Sequence, residues 1–182
     1  VLDRKINQLA DVIQQMNDGN GPDIIGICEV ESESVIERLI NAISLTNRDY
    51  GVVNADTKVA RGIDVAFIFD KKVFKVPKKG DVFNHIVLKR NATRDIVQVN
   101  FKTKSSPAAD LVLIGNHSPS RLGGEFASEP YRIIAAETLS YWLERVSEKF
   151  GKEVSILVMG DFNDEPYNRS MQEYALSKKD SK

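Results

Sequence analysis

The chain holds one cysteine, Cys28, so no disulfide can form within it, and disulfide-stapled scaffolds are excluded. No stretch approaches the roughly 20 consecutive apolar residues of a membrane-spanning helix, and no basic-then-apolar segment opens the sequence. Histidine is scarce, with only His85 and His117. Neither repeats nor linker-like stretches interrupt the chain. The net charge of −1 gives no bulk field for or against a polyanion. A lone cysteine in an apolar run behaves as a small hydrophobe, and it leaves the compartment unassigned.

What is present suits one globular domain. The 182 residues are 42% hydrophobic and 28% charged, enough to bury a core under a solvated surface. We expect a single domain over residues 1–176, a polar tail at 177–182 and a monomer. Leu2, Ile6, Leu9, Ile13 and Met16 recur three and four apart, which predicts a first helix with one stripe on a sheet. It ends at the turn-forming run Asn17-Asp18-Gly19-Asn20-Gly21-Pro22. Ser32 or Ser34 is expected to cap a second helix carrying Val35, Ile36, Leu39, Ile40 and Ile43.

Short β-rich runs follow at Val65–Phe69, Val73–Val76, Val82–Leu88, Ile96–Phe101 and Leu111–Ile114, read as mostly antiparallel strands. A long helix is expected from about Glu129 to Phe150, with Ile133, Ile134, Ala136, Leu139, Trp142, Leu143 and Val146 inward. A buried strand at Val154–Met159 comes next, then a short helix near Asn168–Leu176. The order is that of a layered α/β, or α+β, protein.

Polar residues cluster at the ends of these strands. Asp161 and Asn163 follow the run ending at Met159, and on an extended backbone they face one side while Phe162 faces the other. An Asx-turn closing a strand has the same pattern. Glu29 ends Ile24-Ile25-Gly26-Ile27-Cys28, Arg61 to Asp64 precede Val65–Phe69, and Asn116-His117 end Leu111-Val112-Leu113-Ile114-Gly115. Charge is uneven as well. Residues 71 to 104 carry ten basic and two acidic side chains, a local +8 that leaves −9 elsewhere. Such a stretch can hold a polyanion by counterion release, and it can equally be hairpins whose solvated lysines keep edge strands apart.

These segments, Ile27-Cys28-Glu29-Val30-Glu31, Arg61-Gly62-Ile63-Asp64-Val65-Ala66, Asn116-His117-Ser118-Pro119-Ser120-Arg121 and Gly160-Asp161-Phe162-Asn163-Asp164-Glu165-Pro166, resemble the endonuclease/exonuclease/phosphatase superfamily, in its bacterial nuclease-like branch. The resemblance implies a DNase I-like sandwich of two mixed β-sheets flanked by helices, with the site where strand ends from both sheets meet. It also implies a first strand bearing an asparagine and a closing Asp-His strand. Neither is found here, so the chain is expected to be a fragment with little activity of its own.

By the same resemblance the activity is Mg²⁺-dependent phosphodiester hydrolysis, with Mn²⁺ or Ca²⁺ as alternative ions. Glu29 would hold the metal, as a hard oxygen donor suits Mg²⁺. Asp161 would orient or activate water, Asn163 would donate a hydrogen bond, and His117 would face the phosphate. Arg61 and Arg121 would bind substrate phosphate, a task to which the guanidinium fork is matched. Each residue has a plainer role available: a surface ion pair for Glu29, an Arg61–Asp64 contact, a structural hydrogen bond for His117, a mobile loop for Arg121. Nucleic acid is the expected substrate. A phosphoinositide, sphingomyelin or other small phosphoester is the alternative, and a non-catalytic polyanion-binding module is the second.

Overall fold

The structure, a computed structural model, describes residues 1–55, 64–88 and 93–178. Its elements run α1 (Leu2–Gln15), β1 (Ile24–Cys28), α2 (Glu33–Ala42), β2 (Tyr50–Asn54), β3 (Val65–Asp70), β4 (Val82–His85), β5 (Ile96–Lys102), β6 (Asp110–His117), α3 (Glu125–Phe150) and β7 (Ser155–Asp161). Short 3₁₀ turns stand at Lys79–Asp81 and Arg121–Gly123, and a π-helical turn at Ser170–Tyr174 takes the place of the expected last helix.

Two sheets form. The first, in the order β1-β3-β2, is antiparallel throughout; the second, in the order β4-β5-β6-β7, is mixed. Only β6 and β7 run parallel, because α3 carries the chain back between them. Strand periodicity then sorts side chains into three apolar layers. Phe67, Phe69, Val97, Val99, Phe101 and Leu113 fill the space between the sheets. Ala66 and Ile68 pack with Ile6, Ala10, Ile13, Ile36 and Leu39 beneath α1 and α2. Ile96, Val112 and Ile114 meet Leu139 and Val146 of α3. The result is helices, sheet, sheet, helix.

Several expectations need correction. The buried row of α1 is Ile6, Ala10 and Ile13, whereas Leu2, Leu9 and Met16, spaced by seven, lie at its margin and stay more than 40% exposed. Val73–Val76 is a turn rather than a strand: the Asp70 carbonyl accepts the N–H groups of Val73 and Phe74, and a single bridge joins Phe74 to Thr103. Strand β4 stops at His85, and α3 begins four residues early, at Glu125. Ser32 precedes α2 without capping it, its hydroxyl paired with that of Ser34 at 2.9 Å. The polar tail is tied as far as Ser177, whose N–H reaches the Met171 carbonyl at 2.9 Å.

His85 belongs to the fold. It stacks on Trp142 with ring centroids 3.9 Å apart, and its Nε2 meets Gln98 Oε1 at 2.9 Å. Burial holds its imidazole below the ordinary histidine range, so it stays neutral.

One glycine fixes the pairing that matters for the site. Gly160 has φ of +140°, and a Cβ there would fall 1.8 Å from the Asn116 carbonyl oxygen across the strand. No side chain fits, so β6 and β7 close tightly where they end. Gly160→Ala should therefore cost about 3 kcal/mol from strain plus overpacking, read as a melting temperature lower by about 10 °C. An unchanged melt would show that the two strand ends can separate without cost.

Candidate functional site

The register of β6 on β7 sets His117 opposite Asp161 and Asn116 opposite Gly160. In a parallel pair such partners share a face. His117 and Asp161 thus continue the row that holds Leu113, Gly115 and Met159 between the sheets, while Phe162 turns to the α3 side and packs there. The first sheet meets this point from the other side. A Cβ on Gly26 of β1 would fall 2.3 Å from the sulfur of Met159, so β1 lies directly over β7. At its end the Cys28 thiol donates to the Asn116 carbonyl at 3.9 Å. Burial raises the Cys28 pKa, and the Asp64 and Asp161 charges add to the effect, so it remains a thiol.

Asp64, just before β3, reaches across to the second sheet. Its carboxylate lies 3.1 Å from His117 Nδ1, and Arg94 Nε lies 2.8 Å from its Oδ2. A carboxylate only accepts, so His117 carries a proton on Nδ1, leaving Nε2 for another task. His117 itself is buried, its side chain 3% exposed.

Asp161 and Asn163 are not on one extended strand. Asn163 has φ of +50°, and its N–H returns to Asp161 Oδ1 at 2.9 Å. The Asx-turn is present, and it is also what builds the site. Asn163 Nδ2 donates to the Ser118 carbonyl at 2.9 Å, and the Ser118 N–H donates to the Asp161 carbonyl at 2.8 Å. The ends of β6 and β7 are laced together by these bonds, and Asp161 Oδ2 has no hydrogen-bond partner among the described residues.

Behind the turn lies Asp164, its side chain 1% exposed. Arg132 Nε lies 2.8 Å from Oδ2, Arg121 donates to Oδ1 at 3.0 Å, Asn168 Nδ2 donates to Oδ1 at 3.0 Å, and the Ser170 hydroxyl donates a very short bond. Burial alone would raise this carboxyl, but the Ser170 bond and the two arginines outweigh it and hold it below the ordinary carboxylate range. Arg132 sits on the buried side of α3, its guanidinium also bonded to Ser128 and the Glu125 carbonyl.

Residues 2–182 match the family model of the Endonuclease/Exonuclease/phosphatase family. The chain belongs to this family. A comparison with curated protein sequences finds no match. Among solved structures it is similar to an endonuclease/exonuclease/phosphatase family protein from Bacteroides thetaiotaomicron, with a TM-score of 0.66 and 15% identity over 96% of this chain and 59% of that one. The human Nocturnin catalytic domain with bound sulfate anion gives 0.63 and 20% over 96% and 62%. Sphingomyelinase C from Streptomyces griseocarneus gives 0.63 and 12% over 93% and 62%. These likenesses show the DNase I-like fold of the family, two sheets flanked by helices. The chain spans about three fifths of the length of the structures it matches.

Within this family fold the site residues expected from sequence are placed unevenly. Asp161, Asn163 and Arg121 line one open cavity of about 500 Å³, with Leu122 and Glu165 at its rim. His117 lies beside Asp161 in register. Glu29, the next residue after Cys28, faces a neighbouring apolar groove with Leu2, Lys5 and Leu9. It is exposed, without a hydrogen bond or ion pair among the described residues, and its φ is +59°, a conformation that costs a non-glycine residue about 1 kcal/mol or more. Arg61 lies outside the described residues. Arg121 has three commitments, Nε to the Asn163 carbonyl at 2.7 Å, one terminal nitrogen to Asp164 and the other in a loose ion pair with Glu125 at 3.7 Å; its first work is to hold the turn.

Four residues emerge only from the structure. Asp64 had been set beside Arg61, yet its described partners are His117 and Arg94; Arg94 was one charge among ten; Asp164 carried no role; and Arg132 is a charge on an apolar helix face, the one signal that could have marked it.

Asp164→Asn should leave Arg132 buried and unpaired, at a cost of about 3 kcal/mol and a melting temperature lower by about 6–12 °C at neutral pH. The pH dependence has a fixed sign. A depressed carboxyl contributes stability that is complete above the ordinary value of about 3.9 and is lost as pH falls through the folded value. The gap between parent and variant should therefore close in acid. Equal melts at neutral pH would show that Asp164 does not hold the turn.

Proposed function

We propose that this chain carries the phosphate-handling groove of a metal-dependent phosphodiester hydrolase whose substrate is nucleic acid. The observation that carries the reading is the side-by-side placement of His117 and Asp161, with Asn163 laced between their strands. Family membership supports hydrolysis of a phosphoester, and Arg94, from the basic 71–104 stretch, stands behind His117 through Asp64.

The roles follow from the hydrogen bonds already committed. Asp161 uses Oδ1 to accept the Asn163 N–H, so Oδ2 orients and deprotonates the attacking water. Asn163 spends one amide hydrogen on Ser118 and offers the other to a phosphate oxygen. His117, fixed by Asp64 through Nδ1, presents Nε2 to the phosphate and, when protonated, donates to its developing charge. Arg94 holds the Asp64 carboxylate in place through its Nε contact with Oδ2. Arg121 holds the turn and lines the groove, where its weakest contact, the ion pair with Glu125 at 3.7 Å, is the one a substrate phosphate would displace. Arg61 remains proposed as a phosphate ligand.

The donor chemistry at Glu29 fits a hard divalent ion. Among the described residues no group of three His, Cys, Asp or Glu side chains is placed to enclose one, but Mg²⁺ is often held by one or two carboxylates with waters and substrate phosphates completing its shell. Glu29 would be that carboxylate, and the ion would neutralise phosphate charge.

One feature favours a second substrate class. Leu122, which lines the cavity, is 97% exposed, and Phe126 and Tyr167, four and two residues from the lining residues Leu122 and Glu165, are 86% and 74% exposed. An exposed apolar side chain in the cavity lining suits a substrate with an apolar portion, such as sphingomyelin or a phosphoinositide.

The test is a hydrolysis panel of single-stranded DNA, RNA, supercoiled plasmid, a soluble inositol phosphate and sphingomyelin vesicles, each with Mg²⁺ and with EDTA. It should be run on this chain and on a form extended to the length of the solved relatives. We expect Mg²⁺-dependent cleavage of nucleic acid by the extended form that Asp161→Asn lowers by at least about a hundredfold. Lipid turnover alone would replace the substrate, and salt-sensitive DNA binding with no turnover would make the fold a binding module. Asp64→Asn should lower kcat about 10²- to 10⁴-fold with little change in KM, through loss of the His117 tautomer; a full-rate variant would remove the Asp64–His117 pair from the mechanism.

A further inference from the structure

The described basic residues of the 71–104 stretch do not line one groove. Lys71 pairs with Asp49 at 2.9 Å and Lys72 donates to the Thr46 carbonyl at 3.2 Å, both beside the first sheet. Arg94 serves Asp64. Lys75, Lys78 and Lys102 go elsewhere, around a second cavity of about 520 Å³, where Lys149 joins them from the last turn of α3. The cavity lies between the 75–81 loop, the paired Lys102 and Asp110 ends of β5 and β6, and the end of α3.

Its charges are only partly matched. Asp81 accepts the Lys78 backbone N–H at 2.8 Å, and Asp110 meets Lys102 at a loose 3.3 Å. Lys75, Lys78 and Lys149 have no carboxylate within ion-pair distance among the described residues. Lys149 instead lies over the rings of Phe83 and Phe150, 5.5 and 5.1 Å from their centroids. Those faces, and the partial negative charge at a helix C-terminus, keep its ammonium at the cavity. Four ammonium groups against the carboxylates of Asp81 and Asp110 leave a net charge of +2 around a concave surface with low-dielectric walls, which concentrates positive potential. Lysine binds phosphate as a compact point charge, without the planar geometry that arginine imposes.

We propose that this cavity binds a ligand with two or more adjacent phosphates, whether free or within a nucleic-acid strand. It is separate from the catalytic groove. Strand β6 runs from Asp110 to His117, so seven rises of about 3.3 Å place the two sites about 23 Å apart, at opposite ends of one strand. The site therefore stands whether or not the chain hydrolyses phosphoesters.

The test is a backbone-amide NMR titration in EDTA with tripolyphosphate, a nucleoside triphosphate and a short single-stranded DNA as probes. Saturable shifts are expected at Gly80, Asp81 and Phe150, with Asn163 unmoved by tripolyphosphate. Lys75→Gln with Lys78→Gln should weaken binding by about tenfold or more, while Lys75→Arg with Lys78→Arg should retain it. Both lysines are exposed, so the variants should melt as the parent does. Tighter binding of the small phosphates supports a free ligand, and tighter binding of DNA supports a strand. Absence of saturable shifts at Gly80 and Phe150 up to millimolar probe overturns the proposal, as does a double glutamine variant that binds like the parent.

Discussion

The site rests on one buried carboxylate. Asp164 joins α3 through Arg132, the turn before α3 through Arg121, and the segment after it through Asn168 and Ser170. Apolar packing of Phe162 and Ala175 against α3 brings these elements near the end of β7, and the carboxylate fixes how they meet there. A charge removed from water this completely is tolerated only with full pairing, so the four partners must come to it. The turn from Asp161 to Asp164 is thereby held in a single shape, and the orientation of Asn163 and the free oxygen of Asp161 follow from it.

The sheets supply the second half. Parallel pairing places His117 beside Asp161 only because Gly160 lets the strands close, and Gly26 lets β1 lie against Met159 above them. Asp64 then reaches from one sheet to the histidine of the other. The proposed site is thus a property of the sandwich, assembled across its seam, rather than of any single loop. Apolar layers between and outside the sheets hold the seam shut, while His117, Asp161 and Asn163 gather at the strand ends where the seam closes.

Much of this was legible in the sequence, and for identifiable reasons. Strands such as Val65–Asp70 and Asp110–His117 announce themselves by β-branched apolar runs, and Gly160-Asp161-Phe162-Asn163 marks a strand end because glycine and short polar side chains have few other uses there. Phe162 on the opposite face from Asp161 followed from strand alternation alone. Other features depend on contacts distant in the chain. Asp64 meets a histidine 53 residues away, and Arg121 and Asp164 are 43 apart, separations that carry no local periodicity. The positive φ at Asn163 broke the extended reading because the Asp161 carboxylate captures its N–H, a local bond that outcompetes strand geometry. Charge counting found the basic stretch but not its division, since only the fold decides which lysines face an aspartate and which face a cavity.

In the proposed function the Glu29 end of β1 and the Asp161 turn of β7 are two sides of one phosphate site, although their side chains line different cavities. The most direct measurement is an amide-resolved NMR titration with Mn²⁺ and inorganic phosphate together, for the parent and for Glu29→Gln. Amides of Val30, Ser118, Asp161 and Asn163 should broaden together in the parent, and Glu29→Gln should abolish the effect. Broadening confined to one strand end, or unchanged by Glu29→Gln, would contradict the single shared site.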